Sequence, residues 1–291
     1  MTQIITVAAA QIEPKILEKE ANLEKIKDYA RKAAGMGAEL IVFPEAALSG
    51  YCFSSLDECL PAVEPIPGPS TNDLARLCKE LNVYLVVGML EQSSGNIYNS
   101  AALIGPDAVL ASYRKTHLPY LGIDRFVSYG KGPLAAHKTP IGSIGMHICY
   151  DATFPEVART MSILGADLLT LPTNWPEGRE RMPGFVIHAR ALENHVFFVA
   201  CDRVGEERGF RFIGRSKIVS YTGDALAEAS ADKEEIIIAK LDLDAARNKH
   251  VIFRPREFES ELFGDRRPEL YSTLSLEEAM TGIRNNRGDK R

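Results

Sequence analysis

The sequence predicts an α/β protein, a layered sandwich made from two copies of a β-α-β-α-β-β unit. Three pairs of segments predict it. ARKAAGMGAELIVFPE (30–45) matches ARTMSILGADLLTLPT (158–173) at six positions, among them the Ala-Arg start, the Gly-Ala pair and the Pro. ARLCKELNVYLVVG (75–88) parallels ARALENHVFFVAC (189–201), and SAALIGPDAVL (100–110) parallels SKIVSYTGDAL (216–226). The pairs keep one order in both halves, offset by roughly 115 to 130 residues. Two unrelated α/β units can look alike once; three matches in register point to duplication.

Each element follows from its pattern. In the first pair an amphipathic helix ends at a Gly turn, and a short apolar strand then runs to Pro44 or Pro172. In the second pair a helical pattern breaks at polar residues and passes into a β-rich apolar run. The third pair reads as hairpins turning at Pro106-Asp107 or Gly223-Asp224. The strands are apolar along their length, so helices should cover the sheets. No Gly/Ser/Pro linker separates the halves, and residues 1–271 are expected to form one domain. The charged segment FRPREFESELFGDRRPELY (253–271) could wrap a neighbouring subunit in a homodimer or higher homo-oligomer. Residues 272–291, ending in RNNRGDKR, are expected to be a flexible tail.

Composition narrows the function. The 291 residues carry a net charge of −5, which gives no electrostatic footprint for nucleic acid. The N-terminus lacks the basic and long apolar regions of a signal peptide, and no run reaches the ~18 apolar residues of a membrane span. A cytoplasmic location without membrane or nucleic-acid partners is expected. The five cysteines, Cys52, Cys59, Cys78, Cys149 and Cys201, are odd in number and widely spaced with no CxxC. That argues against a disulfide framework or a zinc site and leaves room for one reactive thiol.

Three strand ends carry reactive groups. The strand in AELIVFPE emerges at Glu45, which is either a cap or loop acid or a site acid. DAVLASYRK ends at Arg114-Lys115, either a solvated basic pair or a site cation. GSIGMHICYD ends at Cys149, either an inert buried thiol or a nucleophile. Taken together, a thiolate can attack a carbonyl or nitrile carbon, a carboxylate can take the thiol proton and pass it to a leaving amine, and an ammonium can neutralise the oxyanion. The scheme needs no histidine, no metal and no cofactor. His147, two residues from Cys149, shares its strand face but is read as a core or supporting residue.

FPE (43–45), YRKTHL (113–118) and HICYDATFPE (147–156) resemble the three signature segments of the nitrilase superfamily of carbon–nitrogen hydrolases. VAAAQ (7–11) and YNSAALI (98–104) fit as well, so the resemblance runs from about Thr6 to Tyr271. It implies a four-layer α-β-β-α sandwich, with Glu45 as general base, Lys115 as oxyanion partner and Cys149 as nucleophile. Relatives often carry a second glutamate after the lysine segment. Here LGIDRFVSYG offers only Asp124, as a shorter substitute or one residue out of register.

The resemblance also speaks to substrate. Nitrilases usually follow the nucleophile with Trp-Glu, whereas this chain has Tyr150-Asp151, more like the amide-cleaving branches. Some of those place arginine next; this chain has Ala152-Thr153, leaving Arg179, Arg181 or Arg203 to read a carboxylate from elsewhere. Asn174 and Trp175 in LPTNWPEG should lie at the same mouth as Glu45, by the duplication. Trp175 is either a pocket wall or surface packing, and Tyr51 and Tyr150 are further substrate-binding candidates. The expected function is hydrolysis of a small amide or N-carbamoyl amine through a cysteine thioester, releasing ammonia. The alternatives are a nitrilase using the same three residues and a silent binding protein on this fold.

Overall fold

The computed structural model describes residues 2–275. Strands β1 (Ile4–Gln11), β2 (Leu40–Val42), β3 (Tyr84–Ser93), β4 (Asn96–Ile104) and β5 (Val109–Arg114) form the first sheet with helices α1 (Lys19–Gly35) and α2 (Pro69–Leu81) in its crossovers. The second half repeats this with β6 (Ala136–Thr139), β7 (Gly142–Met146), α3 (Pro155–Ile163), β8 (Leu168–Pro172), α4 (Ile187–Asn194), β9 (Phe197–Cys201), β10 (Lys217–Val219) and β11 (Ala225–Glu228). A last strand, β12 (Glu235–Asp242), returns to the first sheet.

The sheets have orders β12-β1-β2-β3-β4-β5 and β6-β7-β8-β9-β10-β11. They match strand for strand in sense: antiparallel at the first pair, parallel twice, then antiparallel. The duplicated unit is therefore present, and each copy extends β-α-β-α-β-β by a further hairpin strand and an edge strand. In the first sheet that edge strand is β12, pairing antiparallel with β1 from Ile4↔Asp242 to Gln11↔Glu235.

Alternation along β1 sets the layers. Ala8 and Ala10 pack with Ile26, Ala30, Leu74 and Leu77 of α1 and α2. Val7 and Ala9 pack inward with Ile144, Met146 and Leu168 of the second sheet, whose core continues to Val157, Met161 and Ile187 of α3 and α4. The result is the expected α-β-β-α sandwich. Burying this apolar surface at ~25 cal/mol per Å2 drives the layers together.

The compact unit ends at Arg247, upstream of the boundary at Tyr271 read from the sequence, and a second unit begins at Asn248. It holds a hairpin, His250–Arg254 against Phe258–Glu261, with Phe253 and Phe258 stacked at 4.3 Å. Ser272–Ser275 form one helical turn. Residues 276–291 of the expected tail lie outside the described residues. Among the described residues no helix is long and apolar enough to cross a membrane.

Candidate active site

Glu45 sits in the loop after β2, where that loop crosses β3. Gly88 permits the crossing: a Cβ there would lie 2.4 Å from Pro44 O and 2.6 Å from Glu45 Cα. Lys115 follows β5, its N–H donating to Asn99 O at 2.8 Å. Cys149 opens the short helical turn Cys149–Thr153 after β7, at φ +47°. A non-glycine residue in this left-handed region is strained, and such strain concentrates where a side chain must be aimed. A strand passing through a sharp turn into a helix presents its nucleophile in this way in other hydrolases.

The side chains converge. Lys115 Nζ lies 2.6 Å from both Glu45 Oε1 and Asp124 Oδ2, and all three side chains are fully buried. Asn99 Nδ2 donates to Glu45 Oε1 at 2.7 Å and to Asp124 Oδ1 at 2.9 Å. Tyr51 OH donates to Asp124 Oδ2 at 2.7 Å. Asp124 thus joins the cluster through Lys115, with Asn99 spanning the two carboxylates. Asn174 Nδ2 donates to the Glu45 carbonyl at 2.9 Å, which ties the second sheet's loop to the first.

Buried charges at this spacing reset one another's protonation. Burial pushes the Glu45 carboxyl above its ordinary value, opposed by Lys115 and reinforced by Asp124. Burial works against the Lys115 ammonium, yet Asp124 and Glu45 hold it well above its ordinary value. Burial, then the Glu45 charge, pushes the Cys149 thiol far up; Lys115, the Thr173 hydroxyl and the Asn174 N–H pull it the other way. The site therefore holds a thiol that is charge-coupled to a carboxyl group of raised proton affinity. That pairing suits proton transfer from sulfur to oxygen once a substrate is attacked.

The other sequence candidates are placed variously. Trp175 is buried at 1 % exposure, with its backbone N–H donating to Asp202 Oδ1 at 2.8 Å; surface packing is ruled out. Tyr150 is half-buried and stands aside, edge-on to Phe154 at 5.2 Å and 6.0 Å from the Arg179 guanidinium. Arg203 is buried and paired with Glu207 at 2.9 Å, and Glu207 in turn accepts the Tyr51 and Cys52 N–H groups. His147 is a core residue: fully buried, edge-on to Phe198 at 5.2 Å, its pKa lowered by burial to about 4. Asn99 and Asp151 were not singled out from the sequence for the roles their contacts give them. A polar Asn99 heading the apolar run SAALI was the available signal.

The fold is an α-β-β-α sandwich in which Glu45, Lys115 and Cys149 are all buried, and its class is that of the carbon–nitrogen hydrolases. Residues 6–250 match the carbon-nitrogen hydrolase family model, and the chain belongs to that family, within the nitrilase superfamily. It is 37% identical over 273 residues to a protein named nitrilase from Pyrococcus abyssi, covering 92% of this chain and 99% of that one. It is 30% identical over 294 residues to the N-carbamoylputrescine amidase of Solanum lycopersicum, covering 94% and 95%. The crystal structure of a carbon-nitrogen hydrolase from Helicobacter pylori shares the fold at a TM-score of 0.82 and 24% identity, covering 94% and 99%.

Proposed function

We propose that the protein is an amidohydrolase that cleaves a small linear amide or N-carbamoyl amine through a Cys149 thioester. Cys149 sulfur attacks the carbonyl carbon as its proton passes to Glu45. The oxyanion is met by the Lys115 ammonium and the Tyr150 backbone N–H. The C–N bond then breaks as Glu45 returns the proton to nitrogen, and ammonia leaves. Water attacks the thioester with Glu45 again as base, and the acid is released with the thiol restored. Asp124, Asn99 and Tyr51 hold the lysine and the base in place, and Tyr51 and Asn174, with Trp175 behind them, frame the substrate.

The observation that carries the choice of amide is Glu45 Oε2. Its partner oxygen takes Lys115 and Asn99, but among the described residues Oε2 is a buried acceptor with no donor, as is Asn174 Oδ1. Burying an acceptor unpaired costs about 1–3 kcal/mol. An amide or carbamoyl NH2 brings two donors; a nitrile nitrogen brings none. Nitrile hydrolysis is the second reading, favoured by the name of the Pyrococcus abyssi relative. The complete Glu–Lys–Cys set weighs against a silent binding protein. The same reading keeps the enzyme in the cytoplasm, in keeping with its five unpaired cysteines, and expects a homo-oligomer, which light scattering on the purified chain tests.

Ammonia release across matched amides, N-carbamoyl amines and nitriles tests the substrate class. The amide or carbamoyl amine should exceed its nitrile in kcat/KM by at least about tenfold, ~1.4 kcal/mol in barrier. A preference for the nitrile would move the substrate class and leave the residues' roles standing.

A further inference from the structure

We infer that Asp151 is the positioning residue that locks the nucleophile turn to the lysine loop. The inference rests on the roles of Cys149 and Lys115 proposed above. Asp151 is 0 % exposed, and protein donors occupy both of its carboxylate oxygens. Its Oδ2 accepts the Ile148 N–H at 3.0 Å and the Tyr113 hydroxyl at 2.9 Å. Its Oδ1 accepts the Thr116 hydroxyl at 2.9 Å, the His117 N–H at 2.9 Å and His117 Nδ1 at 2.7 Å.

The pattern of those donors carries the inference. Tyr113, Thr116 and His117 all lie within two residues of Lys115 on the first sheet's side. Ile148 immediately precedes Cys149 on the second sheet's side. One carboxylate therefore fixes, at the same time, the chain beside the oxyanion cation and the chain beside the strained nucleophile. Among the described residues no other hydrogen bond in the cluster does this: the Asn174 bond to Glu45 ties base to loop but bypasses the lysine. Every one of the contacts presents N–H or O–H toward oxygen, which calls for a group that accepts on both atoms. Burial alone would raise the carboxyl's pKa, but the His117 bond, the Lys115 charge and the Ile148 N–H more than offset it and hold Asp151 ionised. A charged acceptor with well-aligned donors makes stronger bonds than a neutral one.

Asp151→Asn tests this. Asparagine keeps the shape but turns an NH2 toward donors on one side. We expect kcat to fall about a hundredfold with KM within about threefold of wild type, because the reacting geometry slips while the pocket does not. Thr116→Val, which deletes one donor and keeps the carboxylate, should lower kcat about tenfold at unchanged KM. This second variant decides the matter if Asp151→Asn does not fold. Near-normal kcat in the folded variant, or a loss confined to KM, overturns the inference while an inactive Cys149→Ala leaves the proposed function intact. An active Cys149→Ala overturns the proposed function itself.

Discussion

Lys115 Nζ stands 2.6 Å from Glu45 Oε1 with both side chains fully removed from water. A buried pair at this distance is stable only when the remaining donors and acceptors are met, and Lys115 meets a second carboxylate, Asp124, at the same 2.6 Å. The compact ammonium serves both. Lys115→Arg keeps the charge but inserts a planar fork into a space shaped for a point donor. Steady-state kinetics should show a loss of about 2.7 kcal/mol or more, roughly a hundredfold in kcat. Activity near wild type would show that the cation makes no contact with the developing oxyanion.

The Glu45 carboxyl must be ionised to take the thiol proton, so activity falls as pH drops through its pKa. Burial raises that pKa, and the Asp124 charge raises it further. The acid limb of kcat/KM should therefore lie above pH 4.5, the ordinary value. Asp124→Asn removes one of the neighbouring negative charges and frees Lys115 for Glu45, so the limb should move to lower pH even as kcat falls. An acid limb that stays put or moves up would mean that Glu45 is not the titrating base.

Asn99 gives one hydrogen bond to each carboxylate through the same Nδ2. Asn99→Ala leaves both acceptors short of a donor, and hydrogen bonds to charged groups contribute about 1.5–3 kcal/mol each. Asn99→Asp should be worse, since a third acid crowds a single ammonium. We expect kcat/KM to rank wild type, then alanine, then aspartate. Equal activity in the alanine and aspartate variants would show that Asn99 carries no electrostatic part.

Gly88→Ala places a methyl group against three backbone atoms of residues 44–46, the nearest at 2.4 Å. The loop must shift, because backbone cannot swing aside as a side chain can. Overpacking of this kind costs about 1–3 kcal/mol in stability, and Glu45 moves with the loop. Thermal unfolding and kcat should fall together. A stable variant with full activity would show that the crossing of β3 does not set the position of the base.

Glu45, Lys115 and Cys149 stood out in the sequence because each ends a strand run, and in an α/β sheet strand ends are where sites form. Duplication was legible because Ala-Arg, Gly-Ala and Pro recur at turns, where local sequence dictates structure. Asp124 was found but not its partners, since Asn99 and Tyr51 reach it from segments 25 and 73 residues away. Asp151 carried a motif signal, yet its donors at 113–117 belong to the other half of the chain. The edge strand β12 was missed for a similar reason: EIIIAKLD follows the second copy and pairs with β1 more than 220 residues earlier. Trp175 looked like a wall or a surface residue and is buried in the loop after β8, where its backbone N–H donates to Asp202 and its burial depends on contacts distant in sequence.

The most direct measurement is the covalent intermediate. Wild-type enzyme mixed with a primary amide is quenched in acid within milliseconds, digested, and weighed by mass spectrometry. The peptide containing Cys149 should carry the acyl group as a thioester, formed in step with the first equivalent of ammonia, and Cys149→Ala should show neither. Iodoacetamide should label Cys149 ahead of Cys52, Cys59, Cys78 and Cys201, because burial raises all five thiols but only Cys149 has Glu45 to take its proton and Lys115 to favour the thiolate as it reacts. Ammonia release from Cys149→Ala, or turnover with the acyl group on another residue, would contradict the assignment of Cys149 as the nucleophile.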